Sequence, residues 1–252
     1  MTSKPTILFI HGSWHSPAHF RPVRDLFEAE GYPTECPRLP TFNSKPAPPV
    51  VSLIDDVQVV QNLLKKLVEE QEKEVLVVVH SYGGIVGSEA VLASFGRESR
   101  AKEGTGKKGG VLHLLYMCAF VVPVGASLSS ALGGGLSPFV KVEENGLSTI
   151  NSPDQICYND LTLEQQKHWV EELGTAPTIV HMTSVTHAAH LHYPVTYLYC
   201  EEDQAMPLEI QERMVKEVGV EFQIKRCSAG HSPYLSQPET VLRVVEEIVE
   251  VI

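Results

Sequence analysis

The sequence predicts an α/β fold in which a mostly parallel open sheet carries helices on both faces. Short apolar runs rich in β-branched residues alternate along the chain with segments of helical periodicity. Continuous apolar runs of this kind are typical of strands that are buried on both faces, as in a parallel sheet. With 252 residues, the chain is long enough for one large core. We therefore expect residues 1–252 to form a single domain.

The apolar runs define the strands of this sheet. Five of them are predicted strands: Thr6 to Ile10, Val75 to Val79, Val111 to Cys118, Val195 to Cys200 and Val220 to Cys227. Because a helical segment follows or precedes most of these runs, the strands are expected to pair in parallel through helical crossovers.

Three helices follow from capping residues and periodicity. One begins near Ser52, where Asp55 three residues later predicts a capping box. Its apolar stripe is Leu53, Val57, Val60, Leu64 and Leu67. A second helix is predicted over residues Ile85 to Phe95. The last begins near Pro238, and its inner face is Val241, Val245, Ile248 and Ile252.

The stretch from Val124 to His192 breaks the alternation of strands and helices. It contains three consecutive glycines, several prolines, one short helical piece from Leu163 to Leu173 and no clear strand. A long irregular segment inside a compact domain is typical of a functional lid. We expect residues 124–192 to form an inserted cap over one sheet edge. Residues Arg97 to Gly110, which are charged and glycine-rich, are expected to form an exposed loop.

Composition limits the partners. The 20 basic and 31 acidic residues give a net charge of −11, which disfavours nucleic acids and anionic membranes. The apolar run from Leu114 to Val122 is half of the roughly 18 residues that a membrane helix needs. The run from Thr6 to Ile10 is too short for a signal-peptide core, and five widely spaced cysteines indicate reduced thiols. We expect a cytoplasmic protein with a small-molecule substrate, and a homodimer is one of the assemblies expected.

Two weaker motifs concern cofactors and metals. Gly104 to Gly109 matches GxGxxG by letters, but a charged loop precedes it and a strand follows it, whereas a dinucleotide motif needs the reverse context. The histidines His181, His187, His190 and His192 lack a cysteine or carboxylate at ligand spacing. The expectation is that the protein uses no cofactor and no metal.

The segment from Val75 to Gly84 predicts an exposed nucleophile. A buried strand ends in Ser81, and Gly83 and Gly84 permit a sharp turn directly into a helix. This is the pattern of a nucleophile elbow, which holds a serine hydroxyl at the carboxyl end of the sheet. Val79 stands where the GxSxG motif has its first glycine. An ordinary strand-to-helix turn with a capping serine is the alternative.

A serine nucleophile needs a base, an orienting acid and oxyanion donors, and other predicted strand ends supply them. His231 follows the last strand, and Asp203 follows the strand before it, with Glu201 and Glu202 as rival acids. The first strand ends in Gly12 and Ser13, whose backbone N–H can face the site. The N–H of Tyr82, directly after the predicted nucleophile, is the second candidate oxyanion donor.

The order serine, aspartate, histidine along the chain resembles that of the α/β-hydrolase superfamily. Within it, the chain is similar to the small methylesterase and hydroxynitrile-lyase group, which includes plant methyl salicylate esterases. The resemblance is carried by Phe9 to His15, Val79 to Gly84, Leu198 to Pro207 with Gln211, Ala229 to Pro238, and Tyr158 to Asp160 in the predicted cap.

The resemblance implies an α/β-hydrolase fold and roles for five residues. Ser81 is the implied nucleophile, His231 the base and Asp203 its orienting acid; Ser13 and Tyr82 are the implied oxyanion donors. Independently of the resemblance, Gly12 permits a tight turn that can direct the Ser13 N–H into the site. Lyase members of the group carry a threonine at the position of Gly12 and a lysine at the position of Ser232. Cyanohydrin cleavage by that mechanism is therefore disfavoured.

Together these observations predict a carboxylic ester hydrolase that forms an acyl-enzyme and uses no cofactor. An apolar pocket under a cap favours a small hydrophobic or aromatic ester, such as a methyl ester or a lactone, over a long glyceride. Two alternatives stay open. The same residues can serve a C–C bond hydrolase or a lyase, and the chain can also be a hydrolase-like receptor that binds a small ligand.

Overall fold

The computed structural model of the protein describes residues 4–45, 51–102 and 107–252. The strands within these ranges are β1 Thr6–Ile10, β2 Thr34–Glu35, β3 Glu74–Ser81, β4 Gly110–Ala119, β5 Val140–Val142, β6 Leu147–Ile150, β7 Ala176–Pro177, β8 Val195–Cys200 and β9 Gln223–Cys227.

Helices connect and cover the strands. The α-helices are α1 Arg21–Ala29, α2 Leu53–Leu64, α3 Gly83–Ala90, α4 Arg97–Lys102, α5 Leu128–Ala131, α6 Pro153–Ile156, α7 Leu163–Glu171, α8 Ile179–Met182, α9 Leu208–Glu217, α10 Pro233–Ser236 and α11 Pro238–Val249. Helix α2 continues as a π-helix over Lys65–Glu70, and short 3₁₀ turns occupy Ala93–Phe95 and Ala189–Leu191. In the part of the chain that the structure describes, every helix is too short or too polar to cross a membrane.

The main sheet has the strand order β2-β1-β3-β4-β8-β9, and every pairing in it is parallel. The chain leaves β1 on one side to form β2 and returns to form β3 on the other side. The order therefore reverses between β1 and β3, and the crevice at the carboxyl ends of two such strands is where open α/β sheets bind ligands.

Alternate residues of the strands pack into two cores, one on each face of the sheet. In β1, Leu8 and Ile10 belong to the core under α2, α3 and α9, whereas Ile7 and Phe9 belong to the core under α1 and α11. All four residues are fully buried. This confirms the predicted parallel sheet with helices on both faces.

Helix α2 confirms its predicted start and stripe. Ser52 and Asp55 form a capping box, in which the Asp55 carboxylate accepts the Ser52 N–H at 2.8 Å. The predicted stripe is buried along its whole length: Leu53, Val57, Val60, Leu64 and Leu67.

Several predicted boundaries are wrong. Strand β9 begins at Gln223 rather than Val220. Helix α3 begins at Gly83 rather than Ile85, so it includes both elbow glycines, and it ends at Ala90 rather than Phe95. Ile252 lies beyond the end of α11 and is exposed.

Two predicted irregular segments contain regular structure. The expected loop over residues 97–110 begins with α4, because Arg100 is buried and its guanidinium donates to the carbonyl oxygens of Val68 and Lys108. Residues 124–192, for which no strand was expected, contain the antiparallel sheet β5-β6-β7. These strands are two to four residues long, too short to produce a recognisable alternation. Residues 104–106 of the GxGxxG match lie outside the described residues.

Candidate active site

Ser81 ends β3 in a strained backbone conformation, with a φ of 53°. Such a left-handed conformation is unusual for a residue with a side chain and is stored at functional turns. The chain turns directly into α3, where a Cβ on Gly83 would overlap the carbonyl oxygen of Ile10 and one on Gly84 would overlap that of Phe120. Both glycines are therefore required for the helix to approach the sheet this closely. The turn has the geometry of a nucleophile elbow.

Asp203 and His231 form a buried pair next to this turn. Asp203 Oδ2 lies 2.8 Å from His231 Nδ1, and both residues are buried. The other carboxylate oxygen, Oδ1, accepts hydrogen bonds from the N–H groups of Ala205 and Met206, each at 2.8 Å. These three contacts hold the carboxylate in one orientation and fix the imidazole through its Nδ1 side.

The rival acids Glu201 and Glu202 are exposed. Glu201 forms an ion pair with Arg226 at 3.3 Å. The structure therefore brings Asp203, and neither rival, into hydrogen-bond contact with the histidine.

The predicted oxyanion loop lies directly against the nucleophile. A Cβ on Gly12 would stand 2.9 Å from Ser81 Cβ and 3.3 Å from Ser81 Oγ. Ser13, Tyr82, Ser81 and His231 line one cavity. The structure thus gathers all six sequence-predicted residues at the carboxyl ends of β1, β3, β8 and β9.

The side chains of the two predicted oxyanion donors are themselves fixed. Ser13 Oγ lies 2.8 Å from His181 Nε2, and the Tyr82 hydroxyl donates to Asp56 Oδ2 at 2.9 Å. Because both anchors are buried, the backbone at these positions has little freedom to move. A preorganised pair of N–H groups is the arrangement that stabilises a developing oxyanion.

The cavity has an empty volume of about 500 Å³, part of it open to solvent. Among the described residues that line it, none is Asp, Glu, Lys or Arg. The apolar part of the wall is Trp14, Phe120, Leu128, Leu136, Phe139, Val140, Cys157, Ala205 and Met206.

Two further histidines of the wall are neutral at physiological pH. Burial lowers the pKa of His181 to about 4. Burial, with the neighbouring His19 and His80, holds the pKa of His15 well below its usual range. The cavity therefore favours an uncharged, mainly apolar ligand.

The histidines considered as metal ligands in the sequence do not form a ligand set among the described residues. His187 and His192 stack on each other with ring centroids 5.1 Å apart, while His181 lines the cavity. Although these histidines are close in sequence, their ring nitrogens are not among the clustered potential ligand atoms of the described residues.

A different group, His80, Cys118 and His231, has potential ligand atoms within 4.8 Å of one another. His80 Nε2 is already hydrogen-bonded to the carbonyl oxygen of His231 at 2.8 Å. Cys118 Sγ donates to the same carbonyl oxygen at 3.4 Å. This group fits a hydrogen-bonded support for His231 better than a metal centre.

Sequence reasoning missed three residues that shape the site. His80 holds the His231 backbone, Asp56 anchors Tyr82, and Trp14 adopts a φ of 63° inside the oxyanion loop. Asp56 gave a detectable signal, because a carboxylate lies on the apolar stripe of α2 between Leu53 and Val60. The other two depend on contacts between distant segments.

Comparison with known sequences gives one family. The model of the alpha/beta hydrolase family matches residues 7–244. The alpha/beta hydrolase nvfD of Aspergillus novofumigatus (strain IBT 16806) is 33% identical over 246 residues, which cover 96% of this chain and 95% of that protein.

Solved structures are similar over nearly the whole chain. A pyrethroid hydrolase from Sphingobium faniae JZ-2 superposes with a TM-score of 0.74 at 19% identity, covering 98% of this chain and 97% of that one. A methylesterase protein, MES16, from Arabidopsis superposes with a TM-score of 0.76 at 16% identity, covering 98% and 100%. At these identities the likeness shows a shared fold.

Proposed function

We propose that this chain, which belongs to the alpha/beta hydrolase family and has its fold, is a serine carboxylic ester hydrolase that works without a cofactor or metal. The observation that carries the proposal is the Asp203–His231 pair at 2.8 Å beside a strained Ser81. A buried acid, an imidazole and a serine around one cavity form the arrangement that activates a serine for acyl transfer.

In the proposed reaction, Ser81 Oγ attacks the ester carbonyl carbon while His231 Nε2 accepts the hydroxyl proton. Asp203 stabilises the resulting imidazolium, and the N–H groups of Ser13 and Tyr82 stabilise the oxyanion. The carbon–oxygen bond to the alcohol then breaks, and His231 gives its proton to the leaving alcohol. Water repeats these steps on the acyl-enzyme and releases the acid together with free Ser81.

The cavity supports a small hydrophobic or aromatic ester, such as a methyl ester or a lactone. Its wall is mainly apolar and its described lining carries no charged side chain, which favours an uncharged, hydrophobic ligand. Two proteins with the same fold are a pyrethroid hydrolase and a methylesterase, which is in keeping with a hydrolase of small esters.

We also propose that the chain is one domain whose residues 124–192 act as a cap. The distal wall of the cavity comes from this segment: Leu128, Leu136, Ser137, Phe139, Val140, Cys157 and His181. The buried free cysteines and the net charge of −11 support a cytoplasmic protein without nucleic-acid or membrane partners. A homodimer is the assembly proposed for test.

The proposal is tested by turnover of p-nitrophenyl acetate, aromatic methyl esters and lactones by wild type, Ser81→Ala and the control Ser99→Ala, which changes a half-buried serine of α4. We expect turnover in wild type and Ser99→Ala, and a fluorophosphonate adduct located at Ser81 by mass spectrometry. Methyl benzoate should be preferred over monomethyl terephthalate, whose carboxylate has no cationic partner in the described wall. Ligand binding with no turnover of any ester would favour the receptor alternative.

A further inference from the structure

Three consecutive residues, Tyr158, Asn159 and Asp160, connect the proposed cap to the catalytic loops. They lie between α6 and α7. Each of the three side chains makes a hydrogen bond to a different loop of the candidate site. A single short segment thus contacts the loops that follow β1, β8 and β9.

Asp160 holds the histidine loop. Its Oδ2 accepts the backbone N–H of Gly230, directly before His231, at 2.7 Å. Hydrogen bonds to an ionised carboxylate are among the stronger ones in proteins. Gly230 packs so closely that a Cβ would overlap Asn159 Oδ1 and stand 2.9 Å from Asp160 Oδ1. The backbone of Gly230 is therefore in direct contact with the Asp160 carboxylate.

The histidine loop is held from its other side as well. The carbonyl oxygen of His231 accepts from His80 Nε2 at 2.8 Å and from Cys118 Sγ at 3.4 Å. Asp160 therefore binds the N–H group of Gly230 and His80 binds the carbonyl group of His231, so the backbone is held on both sides of the His231 side chain.

The other two residues of the segment act on the neighbouring loops. Asn159 Nδ2 donates to the carbonyl oxygen of Glu202, directly before Asp203, at 3.0 Å. The Tyr158 hydroxyl lies 3.1 Å from Nε2 of His15, which is on the oxyanion loop. His15 in turn is hydrogen-bonded through Nδ1 to the carbonyl oxygen of Ser13 at 2.8 Å.

From these contacts we propose that Asp160 is a positioning residue, which fixes the backbone that carries His231, and that Asn159 and Tyr158 do the same for the loops of Asp203 and Ser13. In this arrangement the cap segment sets the catalytic geometry in addition to covering the pocket. The inference rests on the proposed function, because it assigns the base, acid and oxyanion roles to those loops. A displacement of about 1 Å in a catalytic group can cost a factor on the order of 10² in rate.

The test compares Asp160→Ala, Asp160→Asn and the control Asp154→Ala, whose carboxylate accepts a hydrogen bond from the exposed Gln155 amide. We expect Asp160→Ala to lower kcat by roughly 10- to 100-fold and to change KM by less than about threefold, since the group it displaces acts in the reaction step. Asp160→Asn should recover most of the rate, because its amide oxygen can still accept the Gly230 N–H. Asp154→Ala should match wild type.

Hydrogen exchange gives a readout that does not depend on activity. The backbone amides of residues 228–232 should exchange faster in Asp160→Ala than in wild type, Asp160→Asn or Asp154→Ala, because the Gly230 N–H loses its acceptor. Unchanged exchange there, or a kcat within twofold of wild type, overturns the proposal. An equal loss in Asp160→Asn and Asp160→Ala would also overturn it.

The experiment separates this inference from the proposed function. If wild type hydrolyses no ester, the proposed function fails, while the exchange rates and the rate of fluorophosphonate labelling at Ser81 still decide the role of Asp160. If Asp160→Ala does not fold, Tyr158→Phe removes one hydroxyl in place. We expect it to lower kcat by roughly 3- to 10-fold with KM preserved, and an unchanged kcat in that variant contradicts the proposal.

Discussion

Val79 fills the space that a side chain on Gly87 would need: a Cβ on Gly87 would stand 2.5 Å from Val79 Cγ1. Val79 stands where the elbow motif has its first glycine, and Gly87 lies one helical turn after Gly83 on the face of α3 that meets β1 and β3. The missing side chain of Gly87 on the helix thus leaves the space that Val79 occupies. In the usual motif, a glycine on the strand at the position of Val79 leaves this space. This explains how the elbow tolerates a β-branched residue before Ser81.

Gly87→Ala is therefore expected to destabilise the protein, although alanine favours helices. The steric overlap should cost roughly 1–3 kcal/mol against a gain of about 1 kcal/mol in helix propensity, so the free energy of unfolding should fall by up to about 2 kcal/mol. Combining it with Val79→Ala, which frees the space, should cost less than the sum of the single changes. Urea unfolding of the single and double variants measures this coupling.

The matched control for that cycle is Val78→Ala. Val78 is as buried as Val79 but belongs to the core on the other face of the sheet. Its effect should add to that of Gly87→Ala to within about 0.5 kcal/mol. If Gly87→Ala were equally non-additive with Val79→Ala and with Val78→Ala, the overlap would be relieved by general relaxation of the sheet and not by the space freed at Val79.

Gly12 allows a prediction about the lyase alternative. Because a Cβ there would stand 2.9 Å from Ser81 Cβ, Gly12→Thr should displace the nucleophile and lower ester turnover by at least about tenfold. Ser232 is fully buried, with its hydroxyl 3.2 Å from that of Tyr234, so a lysine there would bury a charge. We expect neither wild type nor the double variant with Ser232→Lys to release cyanide from mandelonitrile above background. Ready release by wild type would restore the lyase reading.

Asp56 predicts an unusual pH dependence of stability. Its buried carboxylate accepts hydrogen bonds from Tyr82 and Thr41, yet burial raises its pKa from 3.8 to about 6. Between these values the folded state binds more protons than the unfolded state, so the contribution of Asp56 is fully present below pH 3.8 and is lost as pH rises through 6. Relative to Asp56→Asn, the unfolding free energy of wild type should fall by about 3 kcal/mol from about pH 3.5 to 7.

The neighbouring Asp55 provides a control with the opposite sign. Hydrogen bonds from the Ser52 backbone and side chain lower the pKa of this exposed carboxyl. Its contribution is present above the ordinary aspartate pKa and is lost as the solution is acidified. Urea unfolding at several pH values should therefore show opposite slopes for the Asp55→Asn and Asp56→Asn differences. Parallel slopes would contradict the assigned environment of Asp56.

The features that could be predicted from the sequence are those that a short, continuous stretch of residues determines. Apolar runs located five of the six strands of the main sheet, whereas the two-residue strand β2 was not predicted. The glycines after Ser81 identified the turn. Both signals lie within about ten consecutive residues. The same reasoning placed His231 at a strand end. It could not choose Asp203 over Glu201. The two acids lie in the same turn, and the fold determines which of their carboxylates faces the histidine.

Features that depend on contacts between distant segments could not be predicted. The space at Gly87 is set by how α3 docks on β3, and the bond between Asp160 and Gly230 joins residues 70 positions apart. The strands of residues 124–192 are too short for a period to emerge, so an irregular segment was predicted there.

Asp203 is expected to act through orientation of His231. Asp203→Asn removes the charge that stabilises the imidazolium and permits the wrong tautomer, so turnover should fall by up to about 10⁴-fold. Glu201→Gln and Glu202→Gln, which alter exposed side chains, are the matched controls and should change kcat by less than about twofold. A comparable loss in either control would transfer the role to that residue.

The final prediction concerns Ser81 and His231 as one unit. Since the histidine acts by moving the proton of the serine hydroxyl, Ser81→Ala and His231→Ala should each lower kcat by about 10³- to 10⁶-fold, and the double variant should be little worse than either. The measurement is kcat on one activated ester for the two single variants and the double variant. Independent roles would instead make the two losses multiply. Small losses that multiply would contradict the hydrolase mechanism. In that mechanism the serine and the histidine act in the same step, so removing either one already abolishes it and removing the second has little further effect.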